Sequence, residues 1–366
     1  MFLGMLIAIA VPLIFLALVR WLDLYASGSF KVVLICLAGG ILAFSLALPI
    51  NTFISGYVND IFLVLTLTAP IAEEILKSLV LVYAVRRPDF TYFVDGAIYG
   101  FAAGTAFAVL ENLFYLGGAD TGTGLTLAVT RAFSTSLMHG SASALVGVSL
   151  GRLRYGRGVS RFVSLLLGWA AAMTLHITFN NVVNRDLGSF TLLAAIALGL
   201  GGVGLIAGFI FWGLSEERRW LHETLGLKLG VSTGEAAVVQ KLDSLDLLLE
   251  PITERFGAER RKQVEEFLKL QAQLGLKRKV QQMTTNPQRQ AELDRQIQAL
   301  RSEIDAVRRD LGIYCMSYVR SILPPETEPI WDRLAQLSDT PETSSAPSMW
   351  SKLGVRMNER ESEQDS

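Results

Sequence analysis

Seven stretches of this 366-residue chain are apolar for about twenty residues or more each, and their length decides the fold class. A bilayer core of ~30 Å takes about 20 helical residues per crossing, and inside it every backbone N–H and C=O must be satisfied within the segment. The stretches run over 2–19, 32–50, 61–85, 94–116, 125–150, 162–183 and 190–213. They predict an all-α, polytopic membrane helix bundle of about seven transmembrane helices. The first lacks a basic amino-terminal flank and carries Arg20 on its far side, the reverse of a secretory signal, so it is expected to stay as an anchor.

Charge divides the chain in two. Residues 1–213 hold 11 Lys or Arg and 9 Asp or Glu, whereas residues 214–366 hold 22 and 25. The expected organisation is a transmembrane domain over 1–213, a helical cytoplasmic domain over 214–338 and a disordered, Ser-, Thr-, Pro- and Glu-rich tail over 339–366. A net charge of −1 says little by itself, and no nucleic-acid partner is expected. The only cysteines, Cys36 and Cys315, form neither a disulfide framework nor a CxxC metal motif.

The loops set an orientation. Arg20, Lys31, Arg86, Arg87, Arg152, Arg154, Arg157, Arg161, Arg218 and Arg219 flank one side, while the alternate loops contain only Arg185. By the positive-inside rule the amino terminus is outside and the carboxy-terminal half is cytoplasmic. In that half Leu293, Ile297, Leu300, Ile304, Val307 and Leu311 recur at spacings of four and three, an a/d seam of fewer than three heptads. It is expected to pack within a small helical domain, with self-association as the alternative.

The polar residues inside the apolar stretches are the functional signal. Glu73, Glu74, Lys77, Glu111, Arg131, His139 and His176 all lie there. An ionisable group at bilayer depth costs at least ~2.5 to 3.5 kcal/mol on insertion scales, so it usually faces a polar interior. On a helix, Glu73 and Glu74 can both approach Lys77 while pointing about 100° apart, so the lysine can hold one while the other faces a cavity. Pro70 removes a backbone hydrogen bond just before the pair. His176 and Asn180 share a face, as do Phe107, Glu111 and Tyr115, with Asn112 beside the carboxylate. His139 sits among Ser134, Ser136, Gly140 and Ser143, a surface suited to close helix packing. Arg131 reads as a counter-ion for Asp120 or a site carboxylate, and His222 as a surface histidine. Glu, His and Asn in a partly dry pocket suffice for water-activated amide hydrolysis without a covalent intermediate.

Three motifs now carry a resemblance. Glu73-Glu74-Ile75-Leu76-Lys77 reads EExxK, Phe107-Ala108-Val109-Leu110-Glu111 reads FxxxE and His176-Ile177-Thr178-Phe179-Asn180 reads HxxxN, with His139 on the segment between the last two. Together, over about residues 61–181, they resemble the PrsW family of glutamic intramembrane proteases, related to the CAAX prenyl endopeptidases and CPBP proteins. The resemblance implies that Glu73 is the general base, that Glu74 and Lys77 support it, that His176 positions water or the scissile carbonyl, and that Asn180 stabilises the oxyanion. Glu111 stands where the prenyl endopeptidases usually carry histidine, which argues against CAAX processing. The resemblance further implies a membrane-protein substrate such as a single-pass anti-sigma factor, cut on the extracytoplasmic side in bacterial stress signalling, with no cofactor and no metal.

Two other readings stay open. Three carboxylates and two histidines could hold a metal, although HExxH is absent. A transporter or silent scaffold would also bury carboxylates, although no inverted repeat is evident.

Overall fold

The computed structural model describes residues 2–23, 28–87, 90, 92–120, 122–155, 159–185, 189–224, 245–284 and 286–322. Among them there are helices and no strand. In chain order these are α1 (Phe2–Trp21), α2 (Phe30–Tyr57), α3 (Ile61–Leu63), a π-helical turn (Val64–Thr68), α4 (Ala69–Arg86), α5 (Phe93–Gly117), α6 (Gly124–Phe133), α7 (Thr135–Tyr155), α8 (Ser160–Val183), α9 (Ser189–Thr224), α10 (Leu245–Met283) and α11 (Pro287–Ile322).

The bundle is built around α5 and α7. Gly96, Gly100 and Gly104 recur every fourth residue and therefore share one face of α5. A Cβ at any of them would overlap the backbone of α7, at the carbonyls of Gly147, Ser143 and His139 in turn. Small residues thus bring two helix backbones into contact, the means by which helices associate where lipid supplies no hydrophobic drive. The described side chains from Val94 to Ala108 are buried, and so are those from Ser134 to Gly151. Around this pair, α1, α2, α8 and α9 turn large apolar side chains outward, among them Leu6, Leu13, Leu34, Leu46, Leu166, Leu193 and Phe211. Such a surface is suited to acyl chains rather than water.

Five helices are long and apolar enough to cross a membrane by length and composition: α1, α2, the Val94–Gly117 part of α5, α8, and Phe190–Glu217 within α9. The chain is a multi-pass membrane protein, and the expected count of seven is not reproduced by that measure. Of the other two stretches, 61–85 is interrupted by the π turn, and α4 itself carries Glu73, Glu74, Lys77 and Arg86. Stretch 125–150 breaks at Ser134, whose φ of −119° and ψ of −75° end α6. Its second piece, α7, is low in hydropathy because its Ser, Gly and His face protein on all sides rather than lipid.

Two further helix boundaries differ from the expected stretches. Helix α2 runs on to Tyr57, so Asn51 stands on a helix and not in a loop. Helix α9 continues past 213 to Thr224, and Glu216 accepts a hydrogen bond from the Tyr92 hydroxyl at 2.8 Å.

The carboxy-terminal helices α10 and α11 form a hairpin. Asn286 caps α11, its Oδ1 accepting from the backbone N–H of Gln288 and Arg289, with Pro287 at the first helical position. Leu293, Ile297, Leu300, Ile304 and Leu311 of the expected seam are buried, and Val307 packs against the core that the last four share. Lys277–Gln296 and Gln263–Asp310 hydrogen bonds tie α11 to α10. The seam's apolar side is therefore occupied within one chain. Arg157, the side chains of Arg218 and His222, residues 225–244 and the expected tail over 339–366 lie outside the described residues.

Candidate active site

Pro70 explains the local structure that sets up the site. Within the π turn the Ala69 N–H bonds Val64 O, five residues back. The same register would give Leu65 O a partner at residue 70, and the α-helical register would give Thr66 O that same partner, but proline has no N–H. Both carbonyls are taken instead by α8: Asn180 Nδ2 donates to Leu65 O at 2.8 Å and Asn181 Nδ2 to Thr66 O at 3.4 Å. π-Helical turns often occur at functional sites, and here the turn fastens α8 to the start of α4, one turn before the glutamates.

Glu73 and Glu74 have different surroundings. Glu74 is 1% exposed; its Oε1 accepts from Lys77 Nζ at 2.6 Å and faces His176 Nδ1 at 2.8 Å. Glu73 is 13% exposed, accepts from Asn51 Nδ2 at 3.0 Å through Oε1, and turns Oε2 toward His176 Nε2 at 3.7 Å. It lines a cavity of about 220 Å³ with Phe44, Asn51, Phe107, Glu111, Tyr115 and Asn180. One carboxylate is held and the other faces open space.

From Lys77 the polar chain continues across the bundle. Lys77 Nζ lies 3.0 Å from His139 Nδ1 and 4.8 Å from the centre of the Phe107 ring. His139 Nε2 lies 2.8 Å from Glu111 Oε2, and the imidazoles of His139 and His176 meet edge to face with centroids 4.6 Å apart. Glu111 also pairs with Arg131 at 3.2 Å, and that guanidinium stacks on Tyr115 and donates to Asn112. Lys77 is an obligatory donor, so His139 Nδ1 is the acceptor and Nε2–H donates to Glu111. By the same logic His176 Nδ1–H donates to Glu74, which leaves the Nε2 lone pair facing Glu73.

The structure thus brings together Glu73, Glu74, Lys77, Glu111, His139 and His176 from α4, α5, α7 and α8. Asn180 stands one helical turn beyond His176 on α8, with one amide N–H committed to the π turn. Arg131 pairs with Glu111 rather than Asp120. Asn51 was not among the expected site residues, because it follows Pro49 at the end of an apolar window.

Residues 28–213 match the family described as PrsW family intramembrane metalloprotease. The chain belongs to the PrsW family. It is similar to Protease PrsW of Bacillus subtilis (strain 168), 29% identical over 123 residues that make up 33% of this chain and 55% of that protein. It is also similar to Protease PrsW of Clostridioides difficile (strain 630), 25% identical over 168 residues, 45% of this chain and 68% of that one. The chain spans about half the length of the first of these relatives. No solved structure matches it. The PrsW match ends where α9 leaves the expected membrane stretch, and so excludes α10 and α11.

The family's description raises the question of a metal. Glu73, His139 and His176 offer ligand atoms within 4.8 Å of one another. Glu73 Oε2 and His176 Nε2 are open toward each other, and Glu74 behind His176 supplies the carboxylate–histidine support that metal-binding histidines commonly have. His139 does not complete the set as arranged. Its two nitrogens are engaged by Lys77 and Glu111, leaving two open donors where a catalytic zinc takes three.

Proposed function

We propose that this chain is an intramembrane endopeptidase in which Glu73 activates water for peptide-bond hydrolysis. The observation that carries the reading is the open pair of Glu73 Oε2 and His176 Nε2, 3.7 Å apart beside a cavity. A water between them can donate to both. Asn51 fixes one oxygen of Glu73 and Glu74 fixes the far nitrogen of His176, so both acceptors are oriented before substrate arrives.

In the reaction Glu73 removes a proton from the water as its oxygen bonds to the scissile carbonyl carbon. The developing oxyanion needs a donor, and Asn180 has a second amide N–H and lines the same cavity. Glu73 then passes its proton to the amide nitrogen as the C–N bond breaks. Lys77, His139 and Glu111 hold Glu74 and the floor of the site and stay outside the bond-making steps.

A second cavity of about 770 Å³ adjoins the first and shares Leu65, Glu111, Tyr115 and Asn180 with it. It is lined by Thr130, Arg131, Asn184, Arg185 and Thr191, at the end of the bundle opposite the basic loops. A substrate chain entering from that side would reach Glu73 from the extracytoplasmic half, which fits an amino terminus outside and α10 and α11 in the cytoplasm. The substrate class that follows is a membrane protein cut near its outer end, a single-pass anti-sigma factor being the one the family resemblance implies.

The donor cluster favours one other reading, a metal held by Glu73, His139 and His176. It requires His139 to release Lys77 or Glu111. Purified protein in liposomes with a single-pass substrate separates the two. Cleavage that survives chelation supports the glutamate mechanism, and loss on chelation with recovery on adding zinc supports the metal. Comparison of membrane-protein fragments in cells carrying the native chain or Glu73→Gln would identify the substrate, and identical fragments in both would overturn the protease reading.

A further inference from the structure

The larger of the two cavities beside the site carries one charge that is not balanced within its walls. Its lining holds three acidic or basic side chains, Glu111, Arg131 and Arg185. Glu111 and Arg131 offset each other, paired at 3.2 Å with the guanidinium stacked on Tyr115. Arg185 is exposed just past the end of α8, and among the described residues its guanidinium has no hydrogen-bond, ion-pair or ring partner. Its backbone is held, the carbonyl accepting from the Thr191 hydroxyl at 3.1 Å.

Asn180 lines both this cavity and the one that holds Glu73, and Arg185 follows it by five residues. The backbone keeps turning to that point, the Asn184 N–H bonding Asn180 O and the Arg185 N–H bonding Val182 O. At the helical rise the two residues are therefore about 7 Å apart along α8, a distance that an extended chain covers in about two residues. Val183 and Leu192, 39% and 42% exposed, supply apolar surface in the same cavity. Taking cleavage at Glu73 as given, we propose that Arg185 determines specificity, selecting substrates with an Asp or Glu about two to three residues outward of the scissile bond. The guanidinium fork suits a carboxylate, and a Lys or Arg at the same place meets like charge. The substrate class narrows to single-pass proteins with an acidic segment immediately outside the membrane.

The test gives the full-length protein in liposomes a library of single-pass proteins whose outer juxtamembrane segment is randomised, and reads the new amino termini by mass spectrometry. Cut sequences should favour Asp or Glu over Lys or Arg at that position by about fivefold, the scale of an exposed ion pair. Arg185→Gln should keep cutting and lose the preference. Arg185→Glu should reverse it toward Lys and Arg, a gain that a folding defect cannot produce. Cleavage by the native chain without a charge preference, or an acidic preference that persists in Arg185→Glu, would overturn the role of Arg185 while leaving that of Glu73 standing. A library left uncut by the native chain would overturn the protease reading and the specificity with it.

Discussion

Gly104 on α5 lies against the carbonyl of His139 on α7 so closely that a Cβ at 104 would overlap that oxygen. The same α7 turn carries the imidazole that links Lys77 to Glu111. Backbone packing and the polar chain are therefore one construction: the glycine face of α5 fixes the height at which His139 is presented.

Gly104→Ala should consequently disturb both. Overpacking of this kind typically costs about 1–3 kcal/mol, read as a lower unfolding temperature in detergent, and activity should fall with it. Gly56→Ala is the control, because nothing lies within 4 Å of a Cβ there. It should be neutral or slightly stabilising.

Lys77 is 0% exposed and Glu74 1%. Lys77→Met leaves a buried carboxylate without its cation and should cost about 3–5 kcal/mol. Adding Glu74→Gln removes that charge and should restore part of the loss. Thermal unfolding of the single and double variants measures the coupling, and additive losses would show the pair to be independent.

Asn51→Leu removes the amide that holds Glu73 Oε1. A hydrogen bond to a charged group contributes about 1.5–3 kcal/mol, so kcat should fall roughly tenfold or more with little change in KM. Asn51→Gln or Asn51→Ser should recover part of it if positioning is the role.

What was legible in the sequence follows from cost. Glu73, Glu74, Lys77 and His176 stand out because charge in an apolar run is expensive, and their i, i+3 and i, i+4 spacings imply that Lys77 can hold one carboxylate but not which; the structure gives it Glu74. Leu293 to Leu311 was legible as a seam because its period is short-range. Asn51 was not, because at the end of its apolar stretch an asparagine reads as loop. Pro70 announced a broken hydrogen bond, but nothing in the chain near it named Asn180 and Asn181, more than a hundred residues away, as the groups that fill the gap. The α5 glycines give no signal in the sequence because their partner is the backbone of another helix, which leaves no side-chain pattern.

Orientation has its own test. With Cys36 and Cys315 first replaced by Ser, single cysteines at Gly122 and Val159 report the two ends of the bundle. An impermeant thiol reagent applied to intact cells should label Gly122→Cys and spare Val159→Cys. The reverse pattern would place the larger cavity and Glu73's access route on the cytoplasmic side.

The central claim is that Glu73, not Glu74, is the group that activates water. Its most direct measurement is the cleavage rate of Glu73→Gln in liposomes with a single-pass substrate, alongside its unfolding temperature. The account predicts a protein as stable as the native chain whose rate is lower by about two or more orders of magnitude. A Glu73→Gln protein that cleaves at close to the native rate would contradict it.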